Sequence, residues 1–118
     1  MIFYKNKLHE EGTKKLLKKF QTPSISANKE RAAFSYLVGA TNRIESVIAC
    51  FDENNMIDLN LLIETIERKD FSSSEKSMLK FAIQFINQNI SNITLTEVMN
   101  TLDDINITII KQAIDIRY

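Results

Sequence analysis

Apolar residues recur along this chain mostly at helical spacing, and polar clusters divide them into segments. Between Lys7 and Phe20, Leu8, Leu16, Leu17 and Phe20 supply an apolar stripe and the lysines a wet face, which predicts a first helix. Gly12 inside it costs about 1 kcal/mol of helix stability against alanine. TPSISAN, from Thr22 to Asn28, reads as the clearest loop. Asn28 is placed to cap a second helix from about Lys29 to Val38, and Gly39 to close it as a C-cap. Thr41 or Asn42 opens a third, in which Ile44, Val47, Ile48 and Phe51 stand at i, i+3, i+4 and i+7. A fourth, short helix covers about Leu59 to Lys69.

Ser72 or Ser73 is placed to cap a fifth helix, with Glu75 or Lys76 in its first turn. Met78, Leu79, Phe81, Ala82, Ile83, Phe85 and Ile86 make this helix apolar over most of its circumference, so it is expected to be central and buried. QNISNIT is a polar connector. Thr94 with Glu97 fits a capping box ahead of Val98, Met99 and Leu102, and Asp103 and Asp104 then interrupt. Ile105, Ile107 and Ile109 alternate as in a strand, while Ile107, Ile110 and Ile114 are spaced as in a helix; Lys111 to Ile116 has no strand pattern, which favours helix. The first four residues, MIFY, read as a short extended lead.

The stretch FDENNMIDLNLLIE (Phe51–Glu64) raises the question of a calcium loop. Such a loop needs oxygen ligands at positions 1, 3 and 5, a glycine at 6 and a bidentate glutamate at 12. With Ile57 at position 8, position 1 is Cys50, position 6 is Asn55 and position 12 is Leu61; with Asp52 at position 1, positions 6 and 12 are Ile57 and Ile63. Neither register supplies the glycine or the glutamate. The alternative is a turn rich in Asp and Asn, a short extended piece at Met56 and Ile57, and Asp58 capping the next helix.

With only two glycines and one proline in 118 residues, the chain lacks the turn residues an all-β fold needs. The fold class expected is all-α: a compact bundle of five to seven short helices around a central apolar helix at about 74–87. One domain is expected over 1–118, with a core at 2–87 and a C-terminal helical extension at 88–118. The single cysteine, Cys50, excludes an intrachain disulfide and suits a reducing cytoplasm. No signal-peptide pattern and no apolar run of about 20 residues is present, so no membrane association is expected and the sequons at Asn89, Asn92 and Asn106 carry no weight.

Net charge is zero but unevenly placed. Residues 1–20 hold six lysines against two glutamates, and residues 51–70 hold six acids against Arg68 and Lys69. The basic segment (Lys5, Lys7, Lys14, Lys15, Lys18, Lys19) suits nucleic acid or an acidic partner; two solvated faces of opposite sign are the plainer reading.

Candidate chemistry is sparse. His9, in HEEG, is the only histidine, so His9 and Cys50 make at most two zinc ligands, and any Ser-His-Asp or Cys-His arrangement would have to use His9. A surface or packing histidine is the alternative. Two glycines cannot build a phosphate-binding loop. A carboxylate pair for acid–base work is open, because spacing in sequence says little about proximity. Cys50 follows an apolar helix face with no flanking cation to lower its pKa. Phe34, Tyr36, Phe81 and Phe85 read as core rather than as a base-stacking platform. LTEVMNTLDDINITIIKQAI has a helix-turn-helix rhythm, but the second helix offers only Lys111 and Arg117 to phosphates.

Several of these segments occur as an ordered set: Phe3–Tyr4, His9, Leu16–Leu17, ERAAFSYLVG at Glu30–Gly39, IACFD with MIDLNLL within Ile48–Leu62, and FSSSEKSMLKFAIQFIN at Phe71–Asn87. In that order they resemble an uncharacterised domain-of-unknown-function family of small bacterial and bacteriophage proteins, with an F-Y…H…L-L opening and an E-R-x-A core, over roughly residues 2–87. Members of that family stop soon after the equivalent of Asn87, whereas about thirty residues follow here. The resemblance implies a phage or mobile-element protein and implies no activity. His9, Glu30 and Arg31 are the polar positions it brings forward; an ion pair or hydrogen bond pinning the first helix to the second is the structural role expected of Glu30 and Arg31.

The expected function is non-enzymatic, through contact with a protein partner, in the form of an accessory protein that modulates a host protein. No catalytic, cofactor-binding or metal-binding residue and no cofactor is assigned. A homodimer through the C-terminal tail is one arrangement the isoleucines allow. The competing readings are a nucleic-acid-binding regulator using the lysine face and a small hydrolase with a carboxylate pair.

Overall fold

A computed structural model describes residues 1–68 and 70–118. Lys69, the expected end of the fourth helix, lies outside the described residues. The chain is all-α. Its helices are α1 (Lys7–Lys19), α2 (Lys29–Gly39), α3 (Ile44–Ile48), α4 (Leu59–Arg68), α5 (Ser73–Ile86), α6 (Leu95–Asn100) and α7 (Asp104–Arg117). A radius of gyration of 12.8 Å matches the roughly 13 Å typical of a compact chain of this size.

Local chemistry starts most of these helices. Asn28 accepts the Arg31 N–H at 3.0 Å and Asp58 the Leu61 N–H at 3.0 Å. Ser72 with Glu75 and Thr94 with Glu97 both close reciprocal capping boxes. Asn6 caps α1 by accepting the His9 N–H at 2.8 Å, and Asp103 caps α7 through the Asn106 N–H at 2.9 Å. Each bond satisfies a donor the first turn leaves free. The end of α1 is equally specific. Gln21 takes a left-handed φ of 57°, its N–H donates to the Lys18 carbonyl and the Thr22 N–H to the Leu17 carbonyl, a Schellman closure.

The core forms around two helices. α5 takes the buried position expected of it, packing with α2, α4 and α6. α2 is enclosed still more completely: every residue from Ala32 to Gly39 is buried, because α1, α5 and α7 all pack on it. α7 resolves the ambiguity at Ile105–Ile110 as helix and buries Ile109, Ile110, Ala113 and Ile116, packing on α2. The tail is thus part of the core.

Three expectations are corrected. α3 ends at Ile48 rather than running through Phe51, because Phe51 forms an antiparallel bridge with Ile57 and the Cys50 carbonyl accepts the Asp58 N–H at 2.9 Å. Gly39 is the last residue of α2 rather than its C-cap; the cap is Ala40, in ordinary right-handed conformation. Leu8 does not join the apolar stripe of α1. His9, Gly12, Thr13, Leu16 and Leu17 face inward, and Leu8, about 100° around the helix from His9, is 70 % exposed.

Candidate functional site

The first residues form an extended strap whose side chains alternate: Met1, Phe3 and Lys5 face solvent, while Ile2 and Tyr4 are half-buried. His9 holds the strap. Its Nδ1 accepts the Lys5 N–H at 3.1 Å, which places the ring proton on Nε2, 2.8 Å from the Tyr36 carbonyl of α2. The ring is buried between Tyr4 and Tyr36, with centroids 5.1 and 4.6 Å away. Burial pushes the His9 pKa below its ordinary value, outweighing the Tyr36 bond that favours the proton; Lys5 adds to the depression. Both ring nitrogens are used within the fold, so His9 is a neutral packing residue.

Phe3 is fixed from two sides. The Tyr36 hydroxyl donates to its carbonyl, and its N–H donates to Gln112 Oε1 on α7 at 3.1 Å. The residue nevertheless stays 43 % exposed. Ile105, 56 % exposed, lies two turns before Gln112 on the same face of α7.

Beside the strap, a cleft of about 340 Å³ opens between α1 and the α2–α3 turn. Leu8 and Ile44 line its walls, and Gly12, Gly39 and Ala40 its floor. Lys5 stands at its edge and also lines a neighbouring polar hollow that includes Asn42, Arg43, Glu75 and Asn106. Arg43 closes that hollow. Its Nε and Nη2 donate to the two Glu75 carboxylate oxygens at 3.0 and 3.2 Å, and its guanidinium lies 4.4 Å from the Phe71 ring centroid. Burial would raise the Glu75 pKa, but bonds from Ser72 and Arg43 hold it below the ordinary carboxylate range.

The other residues singled out in the sequence are dispersed. Arg31 donates to the Phe20 carbonyl at 3.2 Å and lies against the Phe20 ring, pinning the end of α1 to α2 as expected. Glu30 pairs instead with Arg117 of α7 at 3.7 Å. Lys14 pairs with Glu10 at 3.5 Å, Lys15 with Glu45, and Lys19 lies over the Phe51 ring. Asp52 spends one carboxylate oxygen on the Asn54 and Met56 N–H groups, as a turn-former does. The Cys50 thiol is buried and its pKa raised chiefly by that burial. Phe34, Tyr36, Phe81 and Phe85 are core. Among the described residues no group of three or more His, Cys, Asp and Glu side chains could hold a metal ion, and no helix is long and apolar enough to cross a membrane.

Sequence reasoning missed the exposed apolar set. Helical spacing alone puts Leu8 with the inward stripe, and a strap anchored by Tyr36 and Gln112 has no local signature. The fold and this surface define an all-α bundle with an N-terminal strap clasped across two helices. Comparison with known proteins gives no match: no family model fits the chain, and no curated protein and no solved structure is similar to it.

Proposed function

We propose that this protein works by protein–protein contact, through the face built around the N-terminal strap. The observation that carries the reading is that Phe3, Leu8 and Ile105, all large and apolar, are 43, 70 and 56 % exposed on backbone held by the fold. An aromatic ring on pre-ordered backbone loses little entropy on docking, which makes Phe3 a suitable anchor. The resemblance of residues 2–87 to a family of small bacterial and phage proteins supports the narrower form: an accessory protein of a phage or mobile element, acting in the cytoplasm on a host protein. Self-association through α7 would have to use Ile105 and Tyr118, since its other isoleucines are at least partly buried.

The test is capture of partners from lysate of a bacterial host, with and without nuclease, by wild type and by the Phe3→Asp/Ile105→Asp variant. A stoichiometric protein retained by wild type after nuclease and lost by the variant is expected. Partners that vanish with nuclease would replace this reading with nucleic-acid binding.

A further inference from the structure

We infer that the N-terminal strap is a latch worked by one proton: it is closed over α1 and α2 while the His9 imidazole is neutral, and protonation of that ring opens it and dismantles the surface around Phe3. That this surface is a docking face rests on the protein-contact reading above; the latch itself does not. The bonds of the ring leave no place for a second proton. Nε2 donates to the Tyr36 carbonyl at 2.8 Å, and Nδ1 accepts the Lys5 N–H at 3.1 Å. An imidazolium has two N–H groups and no acceptor. Protonation at Nδ1 therefore sets one donor against another. His9 belongs to a helix of 13 residues and is bonded to α2 through its other nitrogen, so the strap is the part that can leave. Tyr4, whose ring meets the imidazole edge-on at 5.1 Å, goes with it. Little else holds the strap. Phe3 keeps the Tyr36 hydroxyl on its carbonyl and Gln112 on its N–H, the second bond lying at the surface, and none of residues 1–5 is fully buried. Exposed bonds and few buried contacts mark a segment that opens ahead of the rest of the fold.

The groups around the ring set the direction. Tyr4 and Lys5 face it from the strap and Tyr36 from α2. On α1 stand Glu10, paired with Lys14, and Glu11; across the neighbouring cleft Lys15 pairs with Glu45 of α3. Of these charges Lys5 is the one that bears on the imidazole, and it opposes the proton. Among the described residues no carboxylate is hydrogen-bonded to the ring, so an imidazolium is best accommodated once the strap has moved and water reaches Nδ1. Burial in the closed state holds the ring pKa below its ordinary 6.5, and opening restores the ordinary value. Opening is thus coupled to uptake of one proton, and its equilibrium constant grows by about tenfold per pH unit between 6.5 and the closed-state pKa.

The test is a pH titration of the full chain by NMR, following the His9 ring nitrogens and the backbone amides together. The Phe3 and Lys5 amide signals are expected to leave their folded positions for those of an unfolded peptide at the pH where the imidazole takes its proton, below 6.5, with the amides of α5 unmoved. Tyr36→Phe loosens the strap without touching the bond of either ring nitrogen. The closed state then holds off the proton less well, and the midpoint moves up toward 6.5. His9→Gln, whose amide does not titrate, is expected to keep the strap closed until the core itself unfolds. The inference is overturned if Phe3 and Lys5 stay in place after the ring is protonated, if they move only together with α5, or if the strap of His9→Gln opens at the wild-type midpoint. Should His9→Gln not fold, the wild-type and Tyr36→Phe titrations decide. The two readings fail separately. A strap that opens with His9 in a chain that captures no protein partner would leave the latch and remove the docking face. A captured partner that depends on Phe3, with a strap that stays shut in acid, would do the reverse.

Discussion

Gly12 and Gly39, the only two glycines in the chain, face each other where α1 crosses α2: a methyl group on Gly12 would stand 3.5 Å from the Gly39 Cα. Neither glycine is needed for an unusual backbone angle, since both are helical. They are needed for closeness. The crossing brings the buried face of α1, including His9 and Thr13, onto the helix that α5 and α7 also cover.

The two glycines differ in what a methyl would meet. At Gly39 it would stand 2.7 Å from Thr13 Oγ1, 2.9 Å from Thr13 N and 3.1 Å from the His9 carbonyl, so backbone must move. At Gly12 it would meet the Ile44 side chain, which can swing away. Gly39→Ala is therefore expected to cost about 2–3 kcal/mol through overpacking. Gly12→Ala is expected to cost under about 1 kcal/mol, because the gain in helix propensity offsets part of the clash. Urea unfolding of the two variants checks this, and the opposite order would refute the crossing geometry.

Replacing His9 by leucine leaves the Lys5 N–H and the Tyr36 carbonyl without their partner, an expected loss of about 3 kcal/mol. The pH dependence has a definite sign. The folded-state pKa of His9 lies below its ordinary value of 6.5, so the unfolded chain binds the proton more readily. The His9 contribution is complete above pH 6.5 and is lost as pH falls from there through the folded-state pKa. Wild type is expected to lose stability over this range and His9→Leu to lose less. Equal slopes in denaturant titrations at stepped pH would contradict it.

Tyr36→Phe deletes the hydroxyl that donates to the Phe3 carbonyl and little else. The expected cost to global stability is about 1 kcal/mol. The local effect is larger: the strap retains the Gln112 and His9 bonds but frays sooner. Faster amide exchange at Phe3 and Lys5, with the core of α2 unchanged, is the expected readout by hydrogen-exchange NMR.

Gln21 holds the left-handed position that ends α1, where an L side chain is strained. Gln21→Gly is expected to stabilise the protein by about 0.5–1 kcal/mol, relief of that strain exceeding the added freedom of the unfolded chain. A raised midpoint in thermal unfolding checks it.

The Arg43–Glu75 pair is half-sheltered, with side chains 33 and 18 % exposed, and bidentate. A double-mutant cycle with Arg43→Met and Glu75→Gln is expected to give a coupling of about 1 kcal/mol at neutral pH. The Glu75 pKa is lowered from its ordinary 4.5, so this coupling is present above that pH and fades as pH falls below it. A coupling that grew in acid would show the sign to be wrong.

What the sequence by itself determined are the features made within four residues of one another. The Asn28, Asp58 and Thr94–Glu97 caps could be read off, and the cap of α5 narrowed to Ser72 or Ser73, because each joins a side chain to backbone at most three residues away. Helical spacing and the scarcity of glycine and proline determined the all-α class for the same reason. Tertiary structure decided the rest. Ile105–Ile110 satisfied two periodicities, and packing on α2 chose the helix. Phe51 continued a helical stripe, and Ile57 across the turn drew it out. Gly39 resembled a stop signal until Thr13 was brought against it. The candidate surface depended most on contacts between distant parts of the chain. Phe3 is positioned by residues 33 and 109 places away, and Leu8 faces solvent because α2 lies against the neighbouring stripe of α1. Such contacts leave no periodic trace in the sequence, because the energy that selects them belongs to groups that meet only after the chain has folded.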